Sequence, residues 1–383
     1  MSAISVECPI ENSNTNHNQF FQDVQKKFEV DNIIHSFQEL VTLRKNELLQ
    51  IYPDLSNGNL AAIFESSRSI AHIQSHAIIS INSYWHQLEK TAIELFGNLL
   101  ACWGYYERFL ILDKYQALPV SLFNNLPRDE FEYKSEIVEH IENDPRYFYT
   151  LHCNTPLLLS DAIKLINIEL FIIEYKWYEI LSLLQLSQRG NHFLLYNKKR
   201  TILVSTSLIQ NWNDRKNWLS FDPFFQGKQW ISCHPLDAGK YLYETGIFNK
   251  NIISEQNCEN ETSFSNYLDD YDAICEVLRL TVSGPKSFRY FLLYLCQKHL
   301  MKQLVDYGKL LSFTIIEQPV MLNLYKKLSS TCYLSRCYNY INGSNNATYK
   351  GFWFTQKLRD ELSNIDWKKY KSLIIQKSRI NFV

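Results

Sequence analysis

Apolar residues fall into two rhythms along the chain. From about residue 31 to 195 they recur at helical spacing. In DNIIHSFQELVTLRKNELLQIY, Ile33, Ile34, Phe37, Leu40, Val41, Leu43 and Leu48 form one stripe that Asp31 is placed to cap. Stretches 61–115 and 158–188 repeat the pattern, while 117–157, punctuated by Pro119, Pro127, Pro145 and Pro156, reads as loops around a short helix near 133–143. After Gly190 the period shortens. TILVSTSLI (201–209) and KQWISCH (228–234) read as strands, with a helix in LDAGKYLYETGIF (236–248). ICEVLRLTVSG (274–284) reads as a buried strand closed by Pro285, and SFRYFLLYLCQKHLMKQLVDYG (287–308) as a helix stopped by Gly308. KLLSFTIIEQ (309–318) is a further strand, and Pro319 opens a short helix in VMLNLYKKL. Strands near 332–341 and 349–354 and a helix at 355–363 complete the series. The pattern predicts an α+β protein: a flexible, polar stretch at 1–30, an α-helical domain at 31–195, and an α/β layered domain at 196–383.

Composition narrows the class. With 24 Tyr, 23 Phe and 8 Trp the chain can fill a large core, and 11 Gly with 10 Pro are too few for a turn-rich β-sandwich. A net charge of -1 supplies no field that would draw the whole molecule to nucleic acid. The most apolar stretch, 163–186, is interrupted by Glu169, Glu174, Lys176 and Glu179, which argues against a transmembrane segment. The polar start MSAISVECPIENSNTNHNQF lacks the features of a secretory signal, so a cytoplasmic location is expected. Nine cysteines without a CxxC pair read as reduced, buried thiols, and no metal is expected. His72 and His76 sit four apart, but without a third ligand they read as a polar helix face. GxSxG, P-loop and GxGxxG motifs do not occur.

The chemistry concentrates in ICEVLRLTVSGPKSFR. In a regular strand Ile274, Glu276, Leu278, Leu280 and Val282 share one face, so a carboxylate stands among aliphatic residues while Arg279 points the other way. An unpaired buried carboxylate is costly, and a one-residue bulge would flip the alternation and let Glu276 and Arg279 serve one site. The expectation is that strand pairing breaks between 274 and 283. At the strand's end Ser283, Gly284, Lys286 and Arg289, with free N–H groups at a helix start, suit a phosphate or pyrophosphate. The alternatives are an ordinary strand-to-helix turn and a purely structural Glu276.

The run DAICEVLRLTVSGPKSFRYFLLYLCQKHLMKQLVDYGKLLSFTIIEQPVMLNLYKKL, closed by YKGFWF, resembles the LuxM/AinS-type acyl-homoserine-lactone synthases, most clearly over about 228–360. The order of elements is also similar to the GNAT acyltransferase fold, shared by the LuxI-type synthases, in which a splayed strand admits the acyl-pantetheine arm. Glu276 and Arg279 reproduce the Glu and Arg, three residues apart, of the LuxI-type strand motif. The GNAT glycine-rich loop is reduced here to Ser283-Gly284. Tyr325 echoes the tyrosine of the GNAT terminal helix, with Ser329 and Ser330 where Gly-Phe usually follows.

The resemblance implies a GNAT-like C-terminal domain and acyl transfer from acyl-carrier protein or acyl-CoA to the amine of S-adenosylmethionine. Lactonisation with release of methylthioadenosine would then yield a quorum-sensing signal, with no tightly bound cofactor. It implies Glu276 and Arg279 as catalytic residues, with Arg215, Asp237 and Asp272 as candidates for the sulfonium substrate. An N-acyltransferase on another amine, and a non-catalytic acyl-ligand-binding or scaffold protein, remain the alternatives.

Overall fold

The computed structural model describes residues 10–27, 83–120, 126–176, 181, 187–221, 223–228, 230–233, 238–254, 265–316, 319–340 and 347–375. The helices are α1 (Ile10–Lys27), α2 (Ser83–Phe96), α3 (Leu99–Lys114), α4 (Leu159–Asn167), α5 (Pro223–Gln226), α6 (Ala238–Tyr243), α7 (Lys286–Asp306), α8 (Pro319–Leu328), α9 (Thr355–Ser363) and α10 (Trp367–Ile375). The strands are β1 (Tyr133–Val138), β2 (Tyr147–Phe148), β3 (Leu157–Leu158), β4 (Asn191–Asn197), β5 (Ile202–Asn211), β6 (Ile231–Ser232), β7 (Ile274–Val282), β8 (Leu311–Ile316), β9 (Tyr333–Asn339) and β10 (Thr348–Phe354).

Eight strands form one mixed sheet in the order β1-β4-β5-β7-β8-β10-β9-β6. Its only parallel pair is β7 with β8; the other six pairings are antiparallel. A parallel pair cannot be closed by a hairpin, so the chain needs a crossover. The 21-residue α7 supplies it. Its Phe288, Phe291, Leu292, Leu295, Leu300 and Leu304 pack on one sheet face against Val204, Ile209, Cys275 and Val277. Gly308, at φ 77, makes the left-handed stop the sequence predicts.

The opposite face is covered by two different layers. Under β4 and β5, Leu194, Tyr196 and Leu203 pack with residues of α1, α3 and α4. Under β7, β8 and β10, Ile274, Leu311, Phe313 and Phe352 pack with Trp212, Trp218 and Ile252. The overall class is therefore α+β, as expected.

Several elements differ from the sequence pattern. The stretch read as a short helix near 133–143 is β1, fixed by six cross-strand partners on β4. The pairing overrides a weak local preference, because Lys and Glu in YKSEIV hide the alternation of buried Tyr133 and Ser135. With β1 and the first five residues of β4 lying before residue 196, the sheet draws on the stretch read as helical. Residues 10–27, read as loose, form a helix that buries Phe21 and Val24. Phe21 stacks on Phe96 and touches the rings of Tyr106 and Phe109. Helix α4 continues into a π-helical stretch, Ile168–Glu174, and α10 follows α9 without a clear sequence signal. The stripe at 31–48 and the pair His72 and His76 lie outside the described residues.

One glycine tests how closely β9 and β10 approach. A Cβ on Gly351 would collide with the Leu334 carbonyl oxygen and the Tyr333 ring. Gly351→Ala is expected to destabilise the fold by about 2 kcal/mol or more, since backbone cannot retreat as a side-chain tip can. Thermal or denaturant unfolding measures it.

Candidate active site

The centre of the molecule is a break in strand pairing. On one side of β7, Gln210 faces Glu276 and Leu208 faces Leu278, but Thr206 already faces Thr281. Arg279 and Leu280 therefore stand together opposite Ser207. This is a bulge, and Arg279 carries it with φ 53, a left-handed conformation uncommon for a long side chain. The consequence is visible in the packing. Ile274 belongs to one core, while Val282 belongs to the core on the other face. Regular alternation would have put both on one side.

On its other side β7 bonds β8 only through Ile274 with Leu311, Cys275 with Ser312 and Glu276 with Phe313. Beyond that point the strands part, although β7 runs to Val282 and β8 to Ile316. The result is a wedge whose apex is Glu276 and whose β7 wall is the bulge. Pairing breaks within 274–283, as the sequence led one to expect.

Glu276 is fully buried. Its Oε2 accepts the Leu219 N–H at 2.8 Å, and its Oε1 accepts the Ser220 N–H at 2.8 Å and the Ser220 hydroxyl at 2.6 Å. A carboxylate so held answers the cost of placing it among aliphatic residues. It clamps the turn Leu219–Phe221 onto the strand. No ion pair or hydrogen bond joins Glu276 to Arg279.

Arg279 is differently situated. Its Nη1 donates one long bond, 3.4 Å, to the Ser187 hydroxyl, and burial lowers its pKa to about 10. No carboxylate pairs with it among the described residues. It is also close enough to His192 to act on that imidazole, whose pKa falls to about 4 chiefly through burial, opposed by the hydrogen bond to the Gly190 carbonyl and aided by the Arg279 charge. His192 faces Leu208 across β4 and β5, and Leu208 faces Leu278 across β5 and β7. Cross-strand partners share a face, so His192, Leu278 and Glu276 lie on the same side of the sheet. The bulge turns Arg279 toward that side.

The turn after β7 holds the remaining predicted residues. Ser283 is buried, its N–H bonds the Val204 carbonyl at 2.9 Å, and its hydroxyl has no hydrogen-bond partner. Gly284, at φ 143, lets the chain turn into α7, where a Cβ would press on Leu292. Helix α7 begins at Lys286 with no side-chain cap. Arg289 is committed: it bonds the Gly284 carbonyl at 3.0 Å and forms a two-pronged pair with Glu174 at 2.6 and 2.9 Å.

Other candidates lie apart. The Arg215 guanidinium stacks over the Trp212 ring at 5.0 Å in an exposed turn. Asp272 is exposed, and its carbonyl accepts from Lys309 at 2.5 Å. Asp237 lies outside the described residues. Tyr325 is buried among Tyr333 and Trp353, and its hydroxyl accepts from Gln297, which in turn accepts from Tyr370 at 2.6 Å. Burial raises its pKa, so the phenol stays protonated.

Sequence reasoning missed Ser187, His192, Glu174 and the Leu219–Ser220 donors. Each reaches the site across dozens of residues, and a single sequence carries no signal for such contacts. Among the described residues no group of His, Cys, Asp and Glu could hold a metal, and no helix is long and apolar enough to cross a membrane.

Comparison with known proteins identifies an acyltransferase. A family model for acyl homoserine lactone synthases matches residues 13–381. The acyl-homoserine-lactone synthase OpaM of Vibrio parahaemolyticus is 33% identical over 353 residues, 90% of this chain and 89% of its own. The acyl-homoserine-lactone synthases LuxM of Vibrio campbellii and of Vibrio harveyi are each 35% identical over 351 residues, covering 88% of this chain and 86% of theirs. The chain belongs to the acyl-homoserine-lactone synthase family. No solved structure matches it.

Glu276→Gln would set an amide NH2 against the Leu219 or Ser220 N–H. It is expected to cost about 1–3 kcal/mol and to lower activity with stability, because the turn at the wedge apex loosens. Paired unfolding and activity measurements on the variant decide it; unchanged stability would mean that the turn does not depend on the carboxylate.

Proposed function

We propose that the wedge between β7 and β8 is where an acyl thioester meets the α-amine of S-adenosylmethionine, making this chain an acyl-homoserine-lactone synthase of quorum-sensing signalling. The carrying observation is the abandoned β7–β8 pairing beside Arg279, a half-buried guanidinium with no carboxylate partner among the described residues. A splayed strand admitting an acyl-pantetheine arm is the feature a GNAT-like fold requires, and the wedge with its bulge supports that reading.

In this scheme β7 N–H groups left unbonded by β8 receive the thioester oxyanion. Arg279 anchors the substrate carboxylate, whose charge it lacks in the protein itself. The Ser283 hydroxyl, the open N–H groups at the start of α7 and Lys286 receive a phosphate of the donor, acyl-carrier protein or acyl-CoA. Arg289, already paired with Glu174, holds the turn in shape. After the amide forms, the anchored carboxylate attacks its own γ-carbon. The carbon–sulfonium bond breaks and methylthioadenosine leaves, with positioning supplying much of the acceleration.

Incubation with S-adenosylmethionine and a series of acyl donors is expected to yield lactone and methylthioadenosine in equal amounts. Acyl transfer without methylthioadenosine would indicate another amine acceptor. Arg279→Ala is expected to lower kcat/KM for S-adenosylmethionine by about 100-fold or more with little loss of stability, since the half-buried guanidinium has only one long hydrogen bond, to Ser187, to lose. Steady-state kinetics beside a thermal melt separates the two effects.

A further inference from the structure

The register of the sheet brings five chain ends to one edge. β1 begins there, β4 ends, β5 begins, and β7 and β8 end. Tyr133 faces Asn197, Asn197 faces Ile202, Ser205 faces Val282, and β7 runs parallel to β8. The wedge opens toward the same edge, because pairing stops at Glu276 and Phe313 while both strands run on. A donor too large to enter the wedge must dock at its mouth.

This edge concentrates positive charge. The turn joining β4 to β5 reads Lys198-Lys199-Arg200-Thr201, and all four residues are exposed. Arg128, also exposed, stacks over the Phe288 ring at 5.4 Å, which holds it beside the first turn of α7. The Lys198 ammonium donates to the Phe131 carbonyl at 2.5 Å. Among the described residues Arg128, Lys199 and Arg200 have no carboxylate partner, whereas Arg289 and Lys298 of α7 are paired with Glu174 and Glu130. The other acids of the segment before β1 are Asp129 and Glu132, and Asp129 accepts the Phe131 N–H at 3.0 Å. Four cations against two acids leave a local positive excess in a chain whose net charge is -1. Phe131 stands among them 84% exposed, the most exposed large apolar side chain of the described residues.

We propose, on the reading of the wedge as the acyl-transfer site, that this edge is the docking surface for an acidic carrier protein, which delivers the acyl chain on its phosphopantetheine arm. The cations are spread over two loops and flank an exposed ring, a surface for a protein rather than a pocket for one phosphate. Aromatic rings and arginines are the side chains that most often anchor such contacts. The reach is short. Arg200 lies five positions from Ser205, the partner of Val282, so at about 3.3 Å per residue the turn stands within about 17 Å of the wedge mouth. The Ser283 N–H still reaches the Val204 carbonyl, so the turn into α7 lies against the start of β5 and the arm passes directly from rim to wedge. Exposed, unpaired cations also orient an acidic partner before contact, over about 8 Å at physiological salt.

Binding of a bacterial holo-acyl-carrier protein, followed by fluorescence anisotropy, tests the surface without turnover. Lys199→Glu with Arg200→Glu is expected to weaken it about 10-fold or more, and Phe131→Ser about threefold or more. Both variants should melt as wild type does, because the altered side chains are exposed. Lys368→Glu with Lys369→Glu, the same reversal on exposed positions of α10, should change binding less than about twofold. A Kd within about twofold of wild type in the first double variant, or an equal loss in the second, overturns the proposal. The unsubstituted enzyme gives a test free of any variant. Added salt should lower kcat/KM for acyl-carrier protein far more than for a free acyl-pantetheine thioester, and an equal salt dependence overturns the proposal. If the first double variant loses binding to phosphatidylglycerol vesicles but keeps its carrier affinity, the edge is a membrane surface and the proposal falls. If carrier binding responds as expected and yet no donor yields methylthioadenosine, the docking surface stands and the synthase reading fails.

Discussion

Everything around the proposed site depends on one pairing that stops early. β7 and β8 run parallel for three residues and then separate, so the middle of a large sheet contains backbone that no neighbouring strand satisfies. Such a gap is costly unless the strands are held apart from outside. Three devices hold them: the left-handed Arg279 bends β7, Glu276 pins the apex to the turn at Leu219–Phe221, and α7 carries the chain across the opposite face.

The same constraint explains why the two charges of the strand end in different circumstances. Glu276 lies at the paired end, where backbone and hydroxyl donors from one turn hold both its oxygens. Arg279 lies at the opened end with a single long bond to Ser187. A carboxylate can be made structural by three fixed donors. A guanidinium with five donors and one weak partner remains able to bind an anion. The pair that looks equivalent in sequence thus divides into a clamp and a proposed anchor.

Much of the C-terminal half was legible because its elements are long and bounded by breakers. The strand at 274–282, the helix stopped at Gly308, β8, β10 and α9 all stand close to where the apolar rhythm puts them. The conflict of Glu276 with its aliphatic face also pointed correctly to a bulge. β1 was not legible: YKSEIV is too polar to announce a strand, and only its partner β4 makes it one. Nor were Ser187 and His192, which approach Arg279 from a segment some ninety positions earlier, since no local pattern encodes such an approach. Residue type could nominate the charges in the site, but it could not nominate the neutral groups that face them.

The clamp between Glu276 and the turn at Leu219–Phe221 also bears on how the chain reaches its native state. Donor and acceptor are 56 and 57 positions apart, and the acceptor sits in a strand that must itself insert between β5 and β8. Closing so long a loop is entropically slow, and until it closes the carboxylate stays in water and the turn has nothing to fold against. The wedge therefore cannot form before β7 has docked against both β5 and β8. Its shape arises only with that docking, so a chain in which β7 is unpaired would lack the cleft altogether.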